Sequence, residues 1–105
     1  MAWTLLCLAG VLEIAFAFFM KSSVGFSRLV PSVLTVAFGL SSVVMLSMSL
    51  RTLPVGTGYA VWTGIGASGT AIVGMALLGE PAQPMRLLCI VAILVGVIGL
   101  KLVQG

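Results

Sequence analysis

The stretch Leu8-Ala9-Gly10-Val11-Leu12-Glu13-Ile14-Ala15-Phe16-Ala17 sets a carboxylate in the middle of a largely apolar run from Ala2 to Met20. The chain has only two acids, Glu13 and Glu80. Glu80 falls in a polar, Pro-rich gap, where a charge costs little. Glu13 has no such surroundings. An ionisable group at the middle of a bilayer costs about 2.5–3.5 kcal/mol on insertion scales, so an acid kept there is expected to have a use. Glu is too short to reach the surface across the eight or so residues that separate it from the nearer end of the run. Snorkelling therefore does not explain it.

Working outward, the remaining composition makes the same demand for a membrane. Of 105 residues, 61% are hydrophobic and 7% charged, which leaves too little polar surface to cover a water-soluble domain. Mean hydropathy is +1.33. At about 20 residues per spanning helix, the length accommodates four spans and no separate soluble domain. The expected architecture is a single all-α transmembrane domain, residues 1–105, with helices near 2–20, 29–50, 57–78 and 85–103. The first run lacks the basic flank of a signal peptide and is followed by equally apolar segments, so it reads as a retained helix.

The formal charge of +3 comes from scattered cations at the predicted helix ends, where anchoring explains them. It is not a nucleic-acid signal. No His is present, and Cys7 and Cys89 lie in different spans. No metal site is expected from them, and neither is a disulfide; both read as small packing residues. A Gly-rich phosphate loop with its Lys is absent, as is a Ser/His/Asp set. The sequence therefore reads as a non-enzyme that needs no cofactor.

Helical spacing puts Leu6, Ala9, Gly10, Phe16, Ala17 and Met20 on the face of Glu13. The small residues there leave room beside the carboxylate or admit a second backbone. The second span begins with Pro31 in its first turn, where a missing N–H does no harm. Its polar groups are hydroxyls, including Ser41 and Ser42. Each reads either as bonding its own helix backbone or as holding the Glu13 carboxylate. The third span is the most polar: Tyr59, Trp62, Thr63 and Gly66 share a face. Gly64, Gly66, Gly69 and Gly74 allow it to bend or to be packed closely. In the fourth span, Cys89, Ala92, Gly96 and Gly99 form a stripe of small residues that reads as a helix-pairing surface. Lys101 lies near enough to the end to snorkel.

With four spans, both termini face one side. Lys21, Arg28 and Arg86 lie on the opposite side; Arg51, Lys101 and the terminal amine lie with the termini. That balance gives almost no orientation bias. Two opposed copies would form an antiparallel, dual-topology homodimer, comparable to the inverted repeats of larger transporters. Two copies supply eight helices and two Glu13 carboxylates around one site. Close carboxylates in a low-dielectric cavity resist joint ionisation and titrate as a coupled pair. A cation entering between them would expel protons, and returning protons would expel the cation. A site open to one side at a time would then use a proton gradient to drive cation export.

These residues resemble the small multidrug resistance family, and its guanidinium exporter subtype in particular, over essentially the whole chain. The resemblance is carried by Ala9-Gly10-Val11-Leu12-Glu13 and by Lys21 with Gly25-Phe26-Ser27-Arg28-Leu29-Val30-Pro31-Ser32. It continues in Leu53-Pro54-Val55-Gly56-Thr57-Gly58-Tyr59-Ala60-Val61-Trp62-Thr63-Gly64-Ile65-Gly66 and in Gly96-Val97-Ile98-Gly99-Leu100-Lys101. It implies an antiparallel homodimer of four-helix subunits in the bacterial cytoplasmic (inner) membrane that exchanges protons for guanidinium-like cations. It implies that Glu13 binds both substrate and proton, and that Phe16, Ser42, Tyr59, Trp62 and Thr63 line the pocket. Ser42 is then the second-span partner of Glu13. Gly64 and Gly66 mark a helix bend, and Cys89, Ala92, Gly96 and Gly99 form the dimer contact.

Two positions depart from the subtype. Phe16 stands where a Trp is usual and keeps an aromatic face without an N–H donor. Gly58 stands where Ala is usual and is expected to loosen the start of the third span. An apolar wall with fewer hydrogen-bond constraints discriminates less against alkylated cations. The first alternative reading is therefore a broad exporter of quaternary ammonium and other drug cations on the same fold. A second is a non-transporting scaffold or chaperone subunit, which leaves Glu13 without a use. A channel has little support from four spans with one acid.

Overall fold

A computed structural model of the chain describes residues 1–104. Four helices follow one another: α1 (Ala2–Ser22), α2 (Leu29–Ser49), α3 (Val55–Leu77) and α4 (Pro84–Gln104). All four are long and apolar enough to cross a membrane. A 21-residue helix rises about 31 Å, which matches a hydrocarbon core of about 30 Å. The Cα envelope is a slab of 42 × 34 × 16 Å.

The helix boundaries follow from local chemistry. Arg28 is extended before α2, and Pro31 lies in that helix's first turn. Pro54, at φ −59° and ψ 143°, caps α3, so this helix starts two residues before the expected Thr57. The α3 end reverses at Gly79, whose φ of 71° favours a residue without Cβ. Both the Leu78 and the Glu80 N–H then donate to the Gly74 carbonyl at 3.1 Å. Pro84 opens α4. In the α1–α2 turn, Val24, Gly25 and Phe26 are all left-handed. Ser23, fully buried, holds this turn: its Oγ accepts from the Phe26 N–H at 3.1 Å and donates to the Met20 carbonyl at 2.7 Å.

Packing is centred on α1, which lies against α2 and α3, while α4 packs its backbone only against α3. The buried apolar core is small: Leu6, Ala9, Leu46 and Val61, with Trp3, Trp62 and Ile65 among the residues against it. Large apolar side chains are exposed along all four helices. A water-soluble protein does not carry contiguous apolar surface on that scale, whereas lipid tails cover it without penalty. The chain is a multi-pass membrane protein.

Close approach between α1 and α3 depends on bare backbone. A Cβ at Gly10 would lie 2.5 Å from Ile65 Cγ2, and one at Gly69 would overlap Ile14. Gly58 does not loosen the start of α3. It is buried, and the Leu50 side chain occupies the space a Cβ would take. Nor do the cysteines pack inside: Cys7 and Cys89 are both free and exposed. Trp3 packs against the core, and Lys101 Nζ sits 4.9 Å from its ring centroid, a cation–π contact that joins the ends of α1 and α4.

Candidate functional site

Glu13 projects from α1 toward α3 and meets Gly66, where the missing side chain leaves space for it. A Cβ on Gly66 would lie 2.6 Å from Glu13 Cγ and 3.2 Å from its Cβ. The acid stem thus lies directly on α3 backbone. Among the described residues no protein group donates a hydrogen bond to its carboxylate. A mid-membrane acid without an internal donor is available to a ligand.

The carboxylate faces a cleft between α1 and α3 of about 620 Å³. Tyr59, Trp62, Thr63 and Gly66 line it from α3; Glu13, Ala17 and Lys21 line it from α1; Glu80 and Arg86 line its far end. The Tyr59 and Trp62 rings stand 5.5 Å apart at 56° and form one aromatic wall. Tyr59 is exposed and Trp62 partly buried, so the wall faces open space while its base is anchored.

A second, more apolar cavity of about 360 Å³ adjoins Glu13 from the α2 side. Phe16, Phe26, Gly39, Val43 and Trp62 are among its lining residues. Phe16 reaches it by lying over Gly39, where a Cβ would come within 2.7 Å of the ring. Glu13 and Trp62 border both cavities and form the partition between them.

Ser42 stands elsewhere than the sequence suggested. It is fully buried, lines neither cavity and does not hold Glu13. Its Oγ donates to the Ala9 carbonyl at 2.7 Å and accepts from Trp62 Nε1–H at 2.9 Å. Ser42 is therefore a peg: it ties α2 to the α1 backbone one turn before Glu13 and fixes the Trp62 indole from behind. Other hydroxyls of α2 bond their own helix; Ser41 donates to Ala37 and Thr35 to Pro31.

Gly64 and Gly66 lie in an unbroken α3, and each is used for close contact: Gly64 against Val97 of α4, Gly66 against Glu13. On α4, Cys89, Ala92 and Gly96 are exposed, and a Cβ at Gly96 or Gly99 would meet nothing within 4 Å. The stripe faces outward from the four-helix unit.

Sequence reasoning missed three features. It did not identify the Ala9 carbonyl as the Ser42 acceptor, nor the role of Ser42 behind Trp62. It also set Glu80 aside, although Glu80 and Arg86 flank a turn bounded by Pro81 and Pro84 and so lie within reach of each other. Their ion pair lies in the lining at the far end of the cleft.

The sequence profile described as Small Multidrug Resistance protein matches residues 1–104. The chain belongs to the small multidrug resistance family. Proteins named guanidinium exporter from Citrobacter freundii and Salmonella typhimurium are each 56% identical to it over 102 residues, covering 97% of both chains. The protein of that name from Escherichia coli (strain K12) is 54% identical over the same length and coverage. Similarity across whole chains places this protein among membrane transporters.

The Ser42 peg has a measurable consequence. Ser42→Ala removes the Trp62 acceptor and leaves the Ala9 carbonyl without its donor, at a cost of about 1–3 kcal/mol. Thermal denaturation in detergent is expected to show that loss. In a Trp3→Phe background, the remaining indole is expected to show lower fluorescence anisotropy. Unchanged anisotropy would mean that Ser42 does not fix Trp62.

Proposed function

We propose that the protein exports guanidinium and substituted guanidinium cations across the bacterial cytoplasmic membrane in exchange for protons. The observation that carries this reading is the Glu13 carboxylate, which among the described residues has no protein donor and faces a cleft with an aromatic wall. Planar guanidinium pairs with a carboxylate through two parallel N–H···O bonds and stacks on aromatic faces. The names of the relatives support the same cargo.

The coupling lies in competition. Glu13 holds either a proton or the cation, because each neutralises the same charge. Substrate arriving on one side releases the proton, and a proton arriving from the other side releases substrate. Tyr59, Trp62 and Thr63 shape the cleft, and the Ser42 peg keeps Trp62 in place. Bending of α3 near Gly64 and Gly66 would alternate the side to which the cleft opens.

The functional unit in this reading is an antiparallel homodimer. A single copy leaves the Glu13 cleft open on one side, and a second copy closes it and supplies the paired carboxylate. The outward stripe of Cys89, Ala92, Gly96 and Gly99 is the contact surface for that copy, since small residues let helix backbones approach in lipid. The even distribution of cations permits both orientations.

The apolar cavity beside Phe16 favours a broader cargo range. It adjoins Glu13, so a guanidinium bound there can place an alkyl or phenyl substituent against Phe16 and Val43. The same wall accepts quaternary ammonium cations, which need no hydrogen bonds.

Proteoliposomes loaded against a proton gradient test the main reading: guanidinium is expected to drive a proton-coupled current that Glu13→Gln abolishes. A current that survives in the variant would remove Glu13 from the mechanism. The cavity makes a separate prediction. Phe16→Trp is expected to fill it and raise discrimination for guanidinium over phenylguanidinium by about tenfold, within the range a changed apolar pocket supplies. Competition assays of guanidinium-driven current check this, and unchanged or reduced discrimination would contradict it.

A further inference from the structure

The far end of the cleft holds a second carboxylate, already paired with a guanidinium group. Glu80 Oε1 accepts from Arg86 Nη2, and Arg86 Nη1 lies 3.4 Å from the Pro81 carbonyl. The acid is the fixed member of the pair. Its backbone N–H is bound to the Gly74 carbonyl at 3.1 Å, and its carboxyl group lies against Gly74, where a Cβ would be 2.7 Å from Cδ. Arg86 reaches it from the first turn of α4 on a long flexible stem. Both side chains are within reach of water, at 30% exposure for Arg86 and 42% for Glu80. Lys21 lines the cleft at the same end.

We propose that Glu80 is an outer binding site for guanidinium cations, and that Arg86 is its built-in occupant, displaced by arriving cargo. This rests on the reading of the cleft as a path for guanidinium. An arginine side chain ends in the same planar guanidinium as the proposed substrate and holds Glu80 through Nη2, with Nη1 turned to the Pro81 carbonyl, so arriving guanidinium can replace that N–H···O pair with one of the same kind. The direct interaction energies cancel to first order. What remains is the tether, which gives Arg86 an effective concentration on the order of millimolar. Free guanidinium at comparable concentration competes with it, so the site stages cargo without trapping it.

With Arg86 on Glu80, Lys21 adds a further positive charge to the cleft lining at this end. When cargo takes the acid, it gains the counter-charge that Arg86 gives up. A cation without N–H donors cannot donate to Glu80 and is staged there less well, which favours guanidinium over quaternary ammonium at the mouth. Glu13 lies eight residues before Lys21 on the same helix, about 12 Å of rise, so cargo passing from Glu80 to Glu13 stays within one cleft.

The test is the KM and the maximal rate of guanidinium-driven current for the full-length protein, Glu80→Gln, Arg86→Gln and Arg86→Lys, each confirmed folded by thermal denaturation. The two glutamine variants are expected to move KM in opposite directions. Glu80→Gln raises it and Arg86→Gln lowers it, each by about two- to fivefold, the scale of an exposed ion pair. Arg86→Lys keeps the charge without the fork and lowers KM by less than Arg86→Gln does. Maximal rates are expected to hold within about twofold, because chemistry at Glu13 is untouched. A pair that only braces the turn would shift both glutamine variants the same way or move neither, and that result overturns the proposal while leaving guanidinium transport intact. Absence of guanidinium current in the unsubstituted protein would instead overturn the transport reading, and this proposal with it.

Discussion

Glu13 rests on the bare backbone of Gly66, and most of the molecule can be understood as what that contact requires. A carboxylate in an apolar layer needs space, a defined position and something to do with its charge. Space comes from the missing side chain on α3, where even a methyl group would overlap the acid stem. Position comes from the α1–α3 seam, brought close by Gly10 under Ile65 and Gly69 under Ile14. The charge is left to the cleft, since no described protein group donates to it. The α2 helix contributes from behind through Ser42, which anchors both the α1 backbone and the Trp62 indole without touching the acid. Ser42 holds the frame, while Tyr59 and Thr63 share the cleft with Glu13 without a hydrogen bond to it among the described residues.

This division of labour explains which parts were legible in the sequence. Hydropathy with a few prolines and glycines located the four spans, because a spanning helix is decided by its own composition and length. Glu13 stood out because a lone acid in an apolar run conflicts with its surroundings. The Tyr59, Trp62, Thr63 and Gly66 face followed from helical period alone, and the structure brings all four to one cleft wall. Period does not state which neighbour a face meets. Spacing left Ser42 open between its own helix and Glu13, and the family resemblance implied Glu13; its acceptor is a backbone carbonyl that no sequence pattern marks. Gly58 was read as loose because its partner, the Leu50 side chain, belongs to the preceding helix. Glu80 was set aside because a charge in a loop is cheap, and its pairing with Arg86 appears only once the Pro81–Pro84 turn folds back.

Helix α4 stands apart from the other three. Its backbone packs on α3, through contacts such as Val97 against Gly64, it touches α1 through Lys101 on Trp3, and it turns its small residues outward. Within one chain this face has nothing to pair with. The helices thus suit different tasks: α1, α2 and α3 position the acid, while α4 offers a surface at which small residues permit close helix contact. In the dimer reading, the same architecture explains why so short a chain suffices. In that reading a second copy would supply the remaining wall of the site without additional sequence.

The central claim is that cation and proton compete for Glu13. The most direct measurement is proton release on guanidinium binding, followed with a pH indicator in weakly buffered detergent solution at a pH where Glu13 retains its proton. The account predicts stoichiometric release that saturates with guanidinium and disappears in Glu13→Gln, while Glu80→Gln still releases protons at higher guanidinium concentration. Guanidinium binding without proton release, or release that persists in Glu13→Gln, would contradict it.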